Sequence, residues 1–200
     1  MIEEVAPDGR PMIHPLDRAS WRAWLAANHT RPTGLWVVLG RRSTDPSKLD
    51  YVSAVEEGLC FGWIDSRVVK LDAERTLQWF SPRRPGGTWA RSNKERVERL
   101  TAAGLMTPAG QAVIEQAKRD GTWTLLDDVE NLVVPDDLAA AFEAAPPARA
   151  NWDAFSRSAK MALLLWIVQA KRPETRAARI AETARRAAVN EKANEPRPKA

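Results

Sequence analysis

Residues Cys60–Asn93 read CFGWIDSRVVKLDAERTLQWFSPRRPGGTWARSN, and this stretch decides the fold. Arg67 to Asp72 and Thr76 to Phe80 alternate apolar and polar residues on either side of the short Asp72-Ala73-Glu74-Arg75 connection. A period of two on both sides of a tight turn is the pattern of an antiparallel hairpin with one covered face. Val69, Leu71, Leu77 and Trp79 are the residues it turns inward. Ser81–Gly87 reads as a loop, because Pro82 and Pro85 remove ladder donors while Gly86 and Gly87 free the backbone. Ser92, with Glu95 three residues on, then forms a capping box that opens a helix with Val97 and Leu100 on its inner side.

Upstream, Asp50 begins a helix in which Tyr51, Val55 and Leu59 repeat at i+4 and Gly62 supplies the stop. Glu56 and Glu57 fall on its other side, which reads as a solvated face. The unbroken run Leu35–Leu39 predicts a strand covered on both faces, returned to water by Arg41 and Arg42. Asp17 or Ser20 caps an earlier helix to about Asn28, with Trp21, Trp24 and Leu25 as its apolar stripe. Downstream, Thr107-Pro108 starts a helix that runs to about Asp120.

The composition then changes. Thr124 to Ala148 holds six acids and no base, and Pro135, Pro146 and Pro147 punctuate it. Beyond it the pattern predicts helices over about 136–144, 152–171 and 173–189, the last with Ala177, Ile180, Ala181 and Ala184 as a narrow stripe. The expected architecture is α+β: a small antiparallel sheet with packed helices over residues 1–130, a helical C-terminal module over 131–190 and a disordered tail over 191–200.

Bulk properties narrow the function classes. A 44% apolar and 28% charged chain is an ordinary folded protein. Nine tryptophans against one tyrosine make large amphipathic rings the dominant aromatic. The net charge of +4 resides in residues 171–200, which carry nine bases and four acids. A single cysteine, Cys60, excludes an internal disulfide and argues against a cysteine-based zinc site. The N-terminal MIEEVAPDGRPMIHP lacks the apolar core of a secretory signal, so a cytoplasmic location is expected. Met161–Val168, the longest apolar run, is too short to span a bilayer.

Phosphate-loop, dinucleotide, zinc-protease and serine-hydrolase motifs are all lacking, so no metal or cofactor is expected. The candidate ligand site is Asp65, Arg67, Arg83, Arg84, Trp89 and Asn93. Two guanidiniums beside a helix start and indole faces suit an anionic small molecule or a partner segment. The bland alternative is that Asp65 braces an arginine while Trp63, Trp79 and Trp89 are core. Lys171, Arg172, Arg176 and Arg179 form a second candidate surface, for nucleic-acid phosphates. A third reading makes Asp65 or Glu57 the acid/base of an enzyme. Cys60, between Leu59 and Phe61, reads as a buried apolar residue.

Longer motifs carry a resemblance. Tyr51-x-x-Ala54-Val55-Glu56-Glu57, Leu59-Cys60-Phe61-Gly62-Trp63-Ile64-Asp65-Ser66, Phe80-Ser81-Pro82-Arg83-Arg84 and Trp89-x-x-x-Asn93 resemble the YdeI/OmpD-associated (OmdA-like) family, the bacteriocin-protection proteins. Val134-Pro135-x-Asp137-Leu138 and Ala170-Lys171-Arg172-Pro173-Glu174-Thr175-Arg176-x-x-Arg179-Ile180 look like its terminal helical module, so the resemblance covers about residues 15–188. It implies protection against bacteriocins or cationic peptides, association with an outer-membrane porin and a periplasmic setting. It offers no catalytic residues.

Overall fold

The computed structural model describes residues 3–40 and 48–194, and the expectation for Arg41 and Arg42 lies outside them. The chain divides into two compact units, residues 1–123 and 124–200. The first holds a five-stranded sheet in the order β1-β2-β3-β5-β4. Its strands are β1 (Glu4–Val5), β2 (Pro11–Ile13), β3 (Leu35–Gly40), β4 (Trp63–Lys70) and β5 (Arg75–Pro82). The fold is α+β as expected, but the sheet is mixed. β2 pairs with β3 in parallel, because α1 (Arg18–Asn28) crosses between them and returns the chain in the same direction. With two and three residues, β1 and β2 are too short to show a period.

α1 is capped by reciprocal bonds between Asp17 and Ser20, and it buries Trp21, Trp24 and Leu25. β3 is buried from Leu35 to Leu39. Leu35, Val37 and Leu39 join the large core with α1, with α2 (Tyr51–Cys60), with α3 (Arg91–Ala102) and with α4 (Pro108–Arg119). Trp36 and Val38 face a smaller cluster with Ala6 and Leu77. Leu71 and Trp79 also pack there, whereas Val69 is exposed, so the predicted inner face of the hairpin covers only this minor core. The main core takes Trp63 and Phe80 instead.

Buried indoles need a partner for their N–H, and three of them find one on a distant part of the chain. Trp21 Nε1 donates to the Ala54 carbonyl at 3.0 Å and Trp63 Nε1 to the His29 carbonyl at 3.0 Å. Trp36 Nε1 donates to the Asp8 carboxylate. Each ring therefore contributes its apolar burial, about 1.5–3 kcal/mol for a large side chain, without a stranded donor.

Two local expectations are corrected, and β4 adds an irregularity. Ser81 and Pro82 belong to β5, paired with Ile64 and Trp63, because Pro82 sits at the strand end where one missing donor is tolerated. α3 begins at Arg91 with Ala90 as its cap, and no side chain caps it, so the Ser92–Glu95 capping box does not form. β4 carries a bulge between Asp65 and Val68: Asp65 is opposite Phe80, yet Val68 is opposite Gln78. One extra residue reverses the alternation of faces along the rest of the strand.

The second unit is helical: α5 (Asp127–Glu130), α6 (Asp136–Glu143), α7 (Pro146–Ala154), α8 (Arg157–Val168) and α9 (Pro173–Ala188). The single helix expected over 152–171 is two, broken where Phe155 turns extended and Ser156 caps α8 by accepting from the Ala159 N–H. α9 buries Ile180, Thr183, Ala184 and Ala187, so its inner face is rotated from the expected stripe and leaves Ala177 and Ala181 exposed. Trp152 packs between Phe142 and Phe155 at this unit's centre. Ala193 is buried in the same core.

Candidate functional site

The β4–β5 hairpin delivers Arg83 to the rim of the main core. The Arg83 N–H donates to the Gly62 carbonyl at 2.9 Å, extending the ladder by one bond beyond Pro82. The chain then turns through Arg84–Gly87, closed by Gly87 N–H to the Arg84 carbonyl at 3.2 Å, with Gly86 at φ 79°. Trp89 is buried immediately after. The Arg83 guanidinium lies on the Trp89 ring, 3.6 Å from its centroid, and Nη1 donates to the Thr88 carbonyl at 3.2 Å. Its Nε is buried and has no hydrogen-bond partner among the described residues. Burial lowers the Arg83 pKa to about 10, against the opposing pull of the Asp65 carboxylate.

The opposite wall is α4, held by close backbone packing. Thr107 caps it, and both the Thr107 N–H (3.2 Å) and Oγ1 (2.6 Å) donate to the Cys60 carbonyl at the end of α2. A Cβ at Gly110 would lie 2.3 Å from that same carbonyl oxygen, so only glycine allows the approach. This docking sets Ala112, Val113, Gln116, Ala117 and Asp120 opposite the Arg83–Gly87 loop. Between them is a recess of about 170 Å³, also lined by Trp89 and Thr122.

The recess unites three of the six candidates, Arg83, Arg84 and Trp89. Asp65 lies outside its lining and accepts from Tyr51 Oη at 2.8 Å and Gln78 Nε2 at 3.3 Å. That environment raises the Tyr51 pKa to about 12, through burial of the phenol first and the Asp65 hydrogen bond second. Arg67 is on the other sheet face, over the Trp36 and Trp79 rings at 4.9 and 5.1 Å, because the bulge reverses its side. Asn93 is apart too, accepting from Arg96 at 3.2 Å. Gln116 of α4, and Asp120 and Thr122 just beyond its end, were beyond sequence reasoning, since only tertiary packing brings them to the loop.

Glu56 and Glu57 do not form a solvated face. The Glu57 side chain is only 2% exposed and accepts from Arg18 Nε and Arg22 Nη1, each at 2.6 Å. Glu56 takes Arg18 at 3.0 Å and Arg99 at 3.4 Å. Both Glu57 oxygens are thus occupied by guanidiniums, which suits a brace between α1 and α2 better than proton transfer. Burial and the neighbouring Glu57 charge push the adjacent Cys60 thiol up, outweighing the opposing arginines, so it stays protonated and buried.

Among the four nucleic-acid candidates, Arg176 forks onto Asp137 at 2.7 and 2.9 Å. Arg179 donates to the Trp166 carbonyl and covers that ring at 5.1 Å. Lys171 and Arg172 are exposed. The following turns are knitted internally, with Arg185 and Arg186 both paired to Glu182. Among the described residues, no group of three or more His, Cys, Asp or Glu side chains is placed to hold a metal. No helix of theirs is long and apolar enough to cross a membrane.

An α+β domain with a lateral recess, followed by a helical unit, is the class these features define. Residues 13–113, just over half of the chain, match the family described as a domain of unknown function (DUF8412), and the protein belongs to that family. Residues 131–190 match a second family model, described as bacteriocin-protection, YdeI or OmpD-associated. The resemblance read from the sequence therefore holds for the helical unit, while the Tyr51–Asn93 motifs fall within the other match. No curated protein and no solved structure matches the chain.

Proposed function

We propose that this is a non-catalytic binding protein that takes a small anion, a carboxylate or a phosphate, at the recess between the Arg83–Gly87 loop and α4, in the service of protection against bacteriocins or related stress. The match of residues 131–190 to the bacteriocin-protection family supports the protective context. The observation that carries the binding site is Arg83: a guanidinium stacked on Trp89, with a buried Nε that donates to nothing among the described residues. A buried donor without an acceptor costs about 1–3 kcal/mol, more when charged, and an anion entering the recess relieves that cost as the loop adjusts around it. Arg84, exposed beside it, adds a second positive group.

Thermal-shift measurements with acetate, phosphate and short carboxylates test this. A ligand at a hundredfold its Kd stabilises the folded state by roughly 2.7 kcal/mol. The shift should shrink in Arg84→Ala, whose exposed side chain is not needed for folding, and in Arg83→Lys, which keeps the charge but lacks the planar fork. An anion-induced shift unchanged in both variants would remove the site from this recess.

A further inference from the structure

The recess carries a second charge, of opposite sign. Asp120 lines it from the C-terminal end of α4. Its carboxylate accepts from Thr122 Oγ1 at 2.6 Å and from the Thr122 N–H at 3.1 Å. These bonds, with a lesser one from the Gly86 backbone across the recess, hold its pKa below the ordinary aspartate value. Asp120 is thus an anion at neutral pH, and it forms no ion pair among the described residues. Neither does Arg84, on the facing loop. Between the two charges the wall is mostly apolar, made by Ala112, Val113, Ala117 and the Trp89 ring, with Gln116 as a polar member.

Opposite charges that line one recess without closing on each other leave both ends available to a ligand. A simple anion satisfies the arginines but feels repulsion from Asp120. A simple cation meets the reverse. A molecule carrying both groups a few bonds apart, with a short apolar branch, satisfies the whole lining. The volume of about 170 Å³ is below the roughly 300–1,000 Å³ of pockets for drug-sized ligands, which sets a small upper size.

Building on the anion-binding reading above, we propose that the occupant is a small zwitterion, a free α-amino acid with a short apolar side chain. Its carboxylate is received by Arg83 and Arg84, its ammonium by Asp120, and its side chain rests against Val113 and Ala117. Arg supplies the planar donor fork that matches a carboxylate, and the Asp120 carboxylate is already oriented by Thr122.

The test compares three probes on the wild-type protein by calorimetry and thermal shift. They are L-valine, 3-methylbutanoate, which lacks the ammonium, and 2-methylpropylamine, which lacks the carboxylate. Valine should bind on the order of tenfold more tightly than 3-methylbutanoate, with the amine weakest, since each charge contributes through its own partner. Asp120→Asn keeps an oxygen for Thr122 and should reduce valine to the level of 3-methylbutanoate while leaving the latter no weaker. Equal binding of valine and 3-methylbutanoate would overturn the zwitterion assignment and leave the anion reading standing. Binding of phosphate or acetate without valine would do the same. Failure of every anion as well as valine would overturn both.

Discussion

Replacing Glu57 by glutamine removes a charge that the structure buries between two arginines. The side chain is 2% exposed and accepts charge-assisted bonds of 2.6 Å from Arg18 and from Arg22. Hydrogen bonds to charged groups are worth roughly 1.5–3 kcal/mol each, so the pair sets an upper range of about 3–6 kcal/mol. Arg18 and Arg22 are themselves 39% and 35% exposed, and water recovers part of what they lose. Halving the range for that screening leaves about 1.5–3 kcal/mol, and the glutamine amide, which points a donor at a donor, keeps the loss in its middle, near 2 kcal/mol. Urea unfolding followed by tryptophan emission reads this directly, because seven of the nine tryptophans lie in residues 1–123. With a slope of about 1–3 kcal/mol per molar urea, the midpoint should fall by about 1 M. Glu98→Gln, at an exposed position of α3, is the control and should stay within about 0.5 kcal/mol. A Glu57→Gln loss no larger than the control's would refute the claim that this carboxylate ties α1 to α2. So would strict additivity with Arg22→Gln, since contacting residues couple by about 0.5–3 kcal/mol.

Two further outcomes are expected. Tyr51 is the sole tyrosine, so phenolate absorbance should titrate as one group near pH 12, and Asp65→Asn should lower its midpoint. Because the folded pKa is raised above the ordinary value of about 10, the stability this phenol contributes is complete below pH 10 and is lost as pH rises through 12. A midpoint of 10 in the native protein would contradict the Tyr51–Asp65 bond. Gly110→Ala should destabilise the first unit by about 1–3 kcal/mol or more and distort the recess, because the new methyl meets the Cys60 carbonyl at 2.3 Å. Wild-type stability in that variant, measured by the same urea titration, would show that α4 is free to shift.

What the sequence revealed was mostly local. The cap of α1 is a bond between Asp17 and Ser20, three residues apart, and the buried run Leu35–Leu39 is its own signal. The loop arginines were legible because proline and glycine flank them. Glu57 was misread as solvated because its partners lie 39 and 35 residues earlier, and no helical period reports a partner on another element. Asp120 was invisible for a related reason: it faces the arginines only through the packing of Gly110 on Cys60. The helix expected over 152–171 failed at Phe155, an apolar residue whose side chain fits a helix pattern while its backbone is extended.

The bulge between Asp65 and Val68 carries a consequence for how such a sheet can change over generations. Every substitution along β4 alters one side chain, whereas the bulge holds one surplus residue that the strand can lose without exchanging the faces beyond it. With Ser66 deleted, Asp65 and Arg67 become neighbours, and strict alternation keeps Val68, Val69 and Lys70 opposite Gln78, Leu77 and Thr76 and leaves Arg67 on the face of the Trp36 and Trp79 rings. A one-codon loss is thus absorbed at the position where the pairing is already irregular, and the guanidinium keeps its side of the sheet.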